Sequence, residues 1–456
     1  MLESPPKEAV SLKSRVFRAG AWVMIGHFLG LIFRLAGSLV MTRLLAPDIF
    51  GIMAIATAIQ VVTALLADIG LRQAVIQSPN GEYPWFLNTA WTVQIIRGFW
   101  ICGTCCFFAV GLYVAQRHDW ISPGSVYAAP ILPAVIAISS FSAVLLGFQS
   151  MKAFCVNRNL DLKRITFVEF TAQIAGLFVS ASLGWVTQSI WSFVSGMLTS
   201  AGLMTLLTHL CLSGPNNRLE WNRKALHELM QFGKWVFVSS ALGVLATNGD
   251  RLLLGGWAGS TILGHYSIAS NLVAAGEGVA GRLFGAVSLP TLSEIVRRDP
   301  DRMPAIYFRM RRAADVGFVG MAGFLFAAGG WIVGLLYDAR YAPAGPMLSL
   351  LSCGLVFTRY TLAQNAFLAL GRPNYLTTIN IIRVASLFVL VPGLYSLFGI
   401  PGAIAGIAFH QAPTLPIVFW FAGRHGLNNF FYEVGVLAMW GVGWLIGSAL
   451  VAVLSH

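Results

Sequence analysis

Six arginines, Arg34, Arg97, Arg251, Arg282, Arg359 and Arg383, fall inside or at the edges of stretches otherwise apolar enough to cross a membrane. A guanidinium at bilayer depth costs at least ~2.5–3.5 kcal/mol on insertion scales, so these side chains must face water or a partner rather than lipid. Acidic residues at comparable depth are fewer: Asp68, Glu169, Asp250, Glu277 and Asp315. The pattern predicts a wet interior with excess positive charge, suited to an anionic cargo.

With 57% hydrophobic and only 11% charged residues, this 456-residue chain has the composition of a polytopic membrane protein. No stretch shows the ten-residue alternation of a membrane barrel, so the spans are helices and the fold class is all-α. Thirteen stretches approach the ~20 residues needed to cross the hydrocarbon core. They run over 19–42, 48–70, 86–115, 126–150, 165–184, 188–212, 233–257, 263–290, 314–337, 345–370, 375–398, 401–422 and 434–454. The turn signal Gly214-Pro215-Asn216-Asn217 separates six of them from the rest. The expected organisation is an amino-terminal segment (1–18), a first lobe (19–212), a connector (213–232), a second lobe (233–424) and an extra carboxy-terminal helix (425–456), with 12–14 spans in all.

A weak internal echo supports two related lobes. Arg43-Leu44-Leu45, Gly51 and Ala54-Ile55-Ala56 recur as Arg251-Leu252-Leu253, Gly264 and Ser267-Ile268-Ala269, at offsets of 208 and 213 residues. Parallel repeats of this kind are a transporter architecture.

The net charge of +12 does not point to nucleic acid, because the charges follow the membrane topology. With the amino terminus inside, the loops on that side hold twenty Lys/Arg and the opposite loops only Arg43, Arg117 and Arg340. That is the positive-inside rule for a multi-pass protein of the cytoplasmic membrane. Of the cysteines, Cys102, Cys105 and Cys106 share one apolar helix and read as packing residues, with no metal-ligand set around them. There is no P-loop, no nucleophile elbow and no extramembrane stretch of domain size, so no catalytic residue, cofactor or metal is expected.

Helical spacing sorts the polar residues. His27, Gly30, Arg34, Ser38 and Met41 form one stripe on the first span; Thr166, Glu169, Gln173, Gly176 and Ser180 form another; Ser267, Ser270, Glu277 and Gly281 run beside Asn271, Gly278 and Arg282. Uncharged members of such stripes serve helix packing by default, whereas an intramembrane charge is a functional candidate. Arg34, Arg97, Arg282, Arg359 and Arg383 are therefore the cargo-binding candidates. Arg is the fitting residue for phosphate, which its planar fork pairs bidentately. Glu277 has two readings, as a site for H⁺ or Na⁺ coupling or as the counter-charge of Arg282. Asp68, Asp250 and Arg251 read as structural features of helix ends or of the lobe boundary, and His27 as a packing residue.

The stretch Thr42-Arg43-Leu44-Leu45-Ala46-Pro47-Asp48-Ile49-Phe50-Gly51, followed by Asp68-Ile69-Gly70-Leu71, resembles the bacterial polysaccharide transporter family. So does Asn248-Gly249-Asp250-Arg251-Leu252-Leu253-Leu254-Gly255 with Leu263 to Ala269 downstream. This is the polysaccharide branch of the multidrug/oligosaccharidyl-lipid/polysaccharide exporter superfamily, and the resemblance spans essentially the whole chain. It implies two six-helix bundles in an inverted V around a central cavity, working by alternating access. It implies a cargo of oligosaccharide repeat units on undecaprenyl diphosphate, for O-antigen, capsule or exopolysaccharide, and work beside polymerase and chain-length proteins. It also sets Arg34 where related lipid II flippases use cationic residues.

Two other readings stay open. A multidrug exporter of the same superfamily would favour an acidic or aromatic cavity over an arginine-rich one. A membrane-embedded polymerase or ligase would favour a large outer loop, and the outer loops here are short. On the sequence alone, Arg34→Ala or Arg359→Ala is expected to abolish polymer export while leaving the protein in the membrane, as measured by polymer output against protein level.

Overall fold

The computed structural model describes residues 12–68, 70–158 and 162–454, with only the backbone described at some helical positions, among them His27, 231–242 and Arg282. Most of the expected amino-terminal segment, Ile69, Ser455 and His456 thus lie outside the described residues, as do the side chains of His27 and Arg282. Every described element is helical. In chain order they are α1 (Leu12–Leu44), α2 (Pro47–Leu66), α3 (Leu71–Gln77), α4 (Pro84–Arg117), α5 (Leu132–Gly147), α6 (Lys152–Arg158), α7 (Leu162–Thr187), α8 (Trp191–Leu210) and α9 (Arg223–Trp257). Then follow α10 (Ser260–Arg298), α11 (Met303–Leu336), α12 (Ala344–Ser352), α13 (Leu355–Thr358), α14 (Thr361–Ala369), α15 (Pro373–Phe409), α16 (Leu415–Gly423), α17 (Phe430–Val436) and α18 (Ala438–Leu454).

The chain is an all-α polytopic membrane protein built as two helical bundles. Helices α1, α2, α4, α5, α7 and α8 pack together as one; α9 to α12, α14, α15 and α18 form the other. By length and composition alone, seven stretches among the described residues qualify as spans. Each of the thirteen expected stretches contains helix. Two expected spans are fused in α15, which reverses direction at Gly399 (φ 64°, ψ −145°). A side chain there would be strained, and glycine alone adopts this conformation freely. A Cβ on Gly406 would come within 2.9 Å of the Val391 backbone, so the two legs lie against each other. The stretch 345–370 is broken into α12, α13 and α14, and Gly354 at the first break packs on the Ala408 carbonyl of α15. Interrupted helices of this kind survive at membrane depth where they are buried in protein or line a cavity.

Helix α9 begins at Arg223, ten residues before the expected span, with Asn222 as its cap accepting from the Lys224 and Ala225 amides. The preceding strip is bound to the first bundle rather than running free. Asn217 accepts from Ser150 at 2.7 Å, Asn88 takes the Arg218 amide and donates to Glu220, and Thr89 accepts from the Asn222 amide. Ala225 and Leu229 then bury against Phe86, Leu87 and Val75.

The bundles meet along a glycine crossing of α2 and α10. A Cβ on Gly51 would run into the Ser260 carbonyl oxygen, and one on Gly264 into the Pro47 carbonyl oxygen. The contact is reciprocal, as a two-fold interface requires. Around it the Tyr341 hydroxyl donates to the Leu45 carbonyl at 2.9 Å, the Tyr127 hydroxyl to Leu252 at 3.0 Å, and the Val126 amide to Ala258 at 3.0 Å. The Arg340 guanidinium donates to the Thr42 and Arg43 carbonyls while paired with Asp338. This end of the molecule is closed.

Gly51→Val and Gly264→Val are each expected to cost at least the ~1–3 kcal/mol of an overpacked contact, read as a lower melting temperature of the detergent-solubilised protein. Gly103→Val, where a Cβ meets open space, should leave it unchanged. Because Arg340 donates to it, the Asp338 carboxyl ionises below the usual carboxylate range. The clasp is then fully formed above ~pH 4 and weakens only as pH falls through that lowered value.

Candidate functional site

Between the bundles, near the glycine crossing, lies a cavity of about 380 Å³. Arg34, Ser38 and Met41 of α1, Thr57 of α2 and Phe193 of α8 line it from one bundle; Arg251 of α9 with Ser267 and Asn271 of α10 line it from the other. Arg34 is exposed into it and Arg251 half-buried. Neither makes a hydrogen bond or ion pair with a described residue, and the Arg251 Nε is buried without a partner. Two guanidiniums, one from each bundle and neither neutralised by a described residue, thus share one space. In a partly dehydrated cavity their mutual repulsion and their free donors both favour an anion between them.

The other predicted arginines have partners or lie elsewhere. Arg97 of α4 donates to the Ala64 carbonyl at 2.9 Å and lies 3.7 Å from Asp68, so it closes the carboxy-terminal end of α2. Asp68 also accepts from the Gly70 amide at 3.0 Å, where Gly70 takes a positive φ before α3. Neither lines a cavity with Arg34 among the described residues.

Arg359 is the main correction. It is 3% exposed and belongs to a dry ionic cluster, not to a cavity wall. Its guanidinium reaches Glu433 at 2.9 Å and Asp315 at 3.6 Å. Arg311, 2% exposed, reaches the same two carboxylates at 2.7 and 3.4 Å. Two positive and two negative charges balance. Tyr307, Tyr360 and Tyr432 donate to or accept from them, and the Tyr360 ring lies 4.7 and 4.8 Å from the two guanidinium carbons. The cluster ties α17, and with it the extra helix α18, to the second bundle. Along α11 and α18 the glycines make the same link: a Cβ on Gly323 or Gly443 would strike the other helix's backbone.

A second cavity, about 320 Å³, lies inside the second bundle beside the broken helices. Asp250, Tyr266, Glu277, Thr358, Arg383 and His410 line it, and Arg251 lines it too. Glu277 accepts from the Thr358 hydroxyl at 2.9 Å, and the Tyr266 hydroxyl donates to Asp250. Arg383 Nε donates to His410 Nε2 at 3.2 Å. Asp250 and Arg251, expected as structural features of a helix end, both face cavities. In the first bundle, Glu169 and Gln173 line a further space of about 530 Å³ with Ser142 and Ser200. Among the described residues no group of His, Cys, Asp and Glu has the arrangement of a metal site.

Residues 40–371 match the family model described as polysaccharide biosynthesis protein. The chain belongs to that family. It is similar to an uncharacterised membrane protein in the cps region of Klebsiella pneumoniae, 19% identical over 92% of this chain and 84% of that one. It is also similar to the lipopolysaccharide biosynthesis protein WzxC of Escherichia coli (strain K12), 20% identical over 75% and 67%. Among solved structures, its fold is that of a multidrug resistance MATE family transporter in an inward-facing conformation (TM-score 0.65, 12% identity, 86% of this chain and 94% of that one). The lipid II flippase MurJ in an inward closed conformation matches equally well (TM-score 0.65, 12% identity, 96% and 100%). The resemblance read from the two motif stretches therefore holds in family and in fold.

Removing one member of a buried ion pair costs ~3–5 kcal/mol. Arg359→Ala and Glu433→Ala should therefore lower the melting temperature and the amount of protein in the membrane, whereas Arg34→Ala should change neither. Detergent-extracted yield and thermal unfolding measure both.

Proposed function

We propose that this protein moves oligosaccharide repeat units on undecaprenyl diphosphate across the cytoplasmic membrane by alternating access, supplying an exported polysaccharide. The observation that carries this reading is the pair of guanidiniums, Arg34 and Arg251, that face one cavity from opposite bundles with no partner among the described residues. A diphosphate offers acceptors to both at once, and Arg keeps its charge whichever way the cavity opens. The family membership and the relatives named for polysaccharide biosynthesis support the cargo class.

The closed end, with the short loops of Arg43, Arg117 and Arg340, would be the outer one, and the basic loops and amino terminus the cytoplasmic one. On that orientation this conformation corresponds to the cargo-loading state, in line with the inward conformations of the two neighbours in fold. Glu277 in the second cavity would serve H⁺ or Na⁺ coupling. Arg383 faces that cavity rather than the one holding Arg34, so it bears on coupling more than on the diphosphate. Polymerase and chain-length proteins would take over the cargo after release. Short loops and the absence of a catalytic constellation favour transport over polymerisation, and the free arginines disfavour a cavity for cationic drugs.

In a deletion strain complemented by variants, Arg34→Ala and Arg251→Ala should each abolish polymer output at normal protein level, with repeat units on undecaprenyl diphosphate trapped in the inner leaflet. Lipid-linked precursors measured by mass spectrometry decide this. Single repeat units accumulating in the outer leaflet would instead indicate a polymerase, and intact polymer with new sensitivity to cationic drugs a drug exporter.

A further inference from the structure

The second cavity holds a hydrogen bond whose direction is fixed by its neighbours. His410 stands where α15 ends, and its Nδ1 lies 2.6 Å from the Ile407 carbonyl oxygen, which can only accept. Nδ1 therefore carries a proton. Its Nε2 faces the Nε–H of Arg383 at 3.2 Å, which can only donate. Nε2 must then be bare, and the imidazole neutral. The ring is 8% exposed, but it lines the cavity wall and is open to a proton from that side.

We infer that His410 is the proton-accepting group of this cavity, and that a proton on its Nε2 releases Arg383 from the α15 hairpin to the carboxylates of α9 and α10. The proton takes the Nε2 lone pair, so the Arg383 Nε–H loses its acceptor and a second cation now stands against the guanidinium. Arg383 must turn. Among the described residues, the titratable and charged groups facing this space are Asp250 and Arg251 on α9, Tyr266 and Glu277 on α10, Arg383 on α15 and His410 at its end. The elements α12 and α13 contribute Thr358 and apolar residues, without a further charge. Of the anions, Asp250 has one carboxylate oxygen, Oδ1, buried and without a partner. Among the described residues Glu277 is held by the Thr358 hydroxyl. Both can accept a guanidinium.

The consequence is mechanical as well as electrostatic. Arg383 and His410 lie on the two legs of one hairpin, so their bond joins the legs. Asp250 and Glu277 belong to the two helices that carry Arg251 and the glycine crossing. Protonation thus moves one strong contact from within the hairpin to between the hairpin and the helices that close the molecule. Because Arg251 lines both cavities, the same step changes the field at the site assigned to the diphosphate. This deepens the transport reading and rests on it only for the purpose that the proton serves.

The test is nuclear magnetic resonance of the full-length protein in phospholipid nanodiscs, labelled with ¹⁵N in histidine and arginine, from pH 8 to pH 5. The His410 signals are assigned by His410→Gln and, independently of that variant, by the through-space contact to the Arg383 Nε–H. At pH 8 His410 should be neutral with its proton on Nδ1. On acidification Nε2 should take up one proton, and the Arg383 Nε resonance should shift with the same midpoint. A ring that carries its proton on Nε2 at pH 8, that stays neutral throughout, or that titrates without moving Arg383 would overturn the inference. None of these readouts depends on transport, so failure here and failure of the flippase reading are separate results.

Discussion

A guanidinium in a low-dielectric interior must be paired, hydrogen-bonded or wet, and this requirement sorts the intramembrane arginines into different jobs. Arg311 and Arg359 satisfy it by full neutralisation against Asp315 and Glu433, and the result is an anchor for the carboxy-terminal helix. Arg97 satisfies it with a helix-end carbonyl and Asp68. Arg383 leans on a neutral imidazole, a weaker partner that a single proton can remove. Arg34 and Arg251 have no partner among the described residues and share the inter-bundle cavity. Water or cargo must complete them.

The second organising feature is close helix approach. At the α2–α10 crossing each glycine gives its space to the other helix's carbonyl, so a small contact area closes one end of a molecule made of two bundles. The contact is reciprocal, and the cavity behind it is lined by both bundles. Tyr341, Tyr127 and Arg340 add directional hydrogen bonds around the crossing. The bundles also meet at the connector, where Ala225 and Leu229 of α9 bury against Phe86, Leu87 and Val75.

Much of this was legible in the sequence. Apolar length gave the helices, and the two glycines of the echo, Gly51 and Gly264, turn out to be the pair that meet, a contact the echo did not itself predict. The arginine half of the same echo misled. Shifted by the 213 residues between Gly51 and Gly264, Arg251 falls opposite Ser38 and Arg34 opposite Thr247, both cavity-lining residues. Arg251 therefore belongs to the site, although its place near Asp250 and a predicted span end suggested a structural role. Arg359 failed for the opposite reason. Its partners are Asp315 on α11 and Glu433 after the last loop, both shared with Arg311, at separations that no local pattern exposes; only the i,i+4 pair Arg311–Asp315 was a hint. The contacts of the connector were not legible, because backbone amides donating to Asn88, Thr89 and Asn217 leave no periodic signature.

The central claim is that Arg34 and Arg251 act from opposite bundles on one anion. A double-mutant cycle on the binding of undecaprenyl diphosphate to the purified protein, followed by native mass spectrometry, tests it most directly. If the account is right, Arg34→Ala and Arg251→Ala each weaken binding strongly and the double variant is little worse than either, since both guanidiniums close on the same diphosphate. Strictly additive losses, or binding that survives both changes, would contradict it.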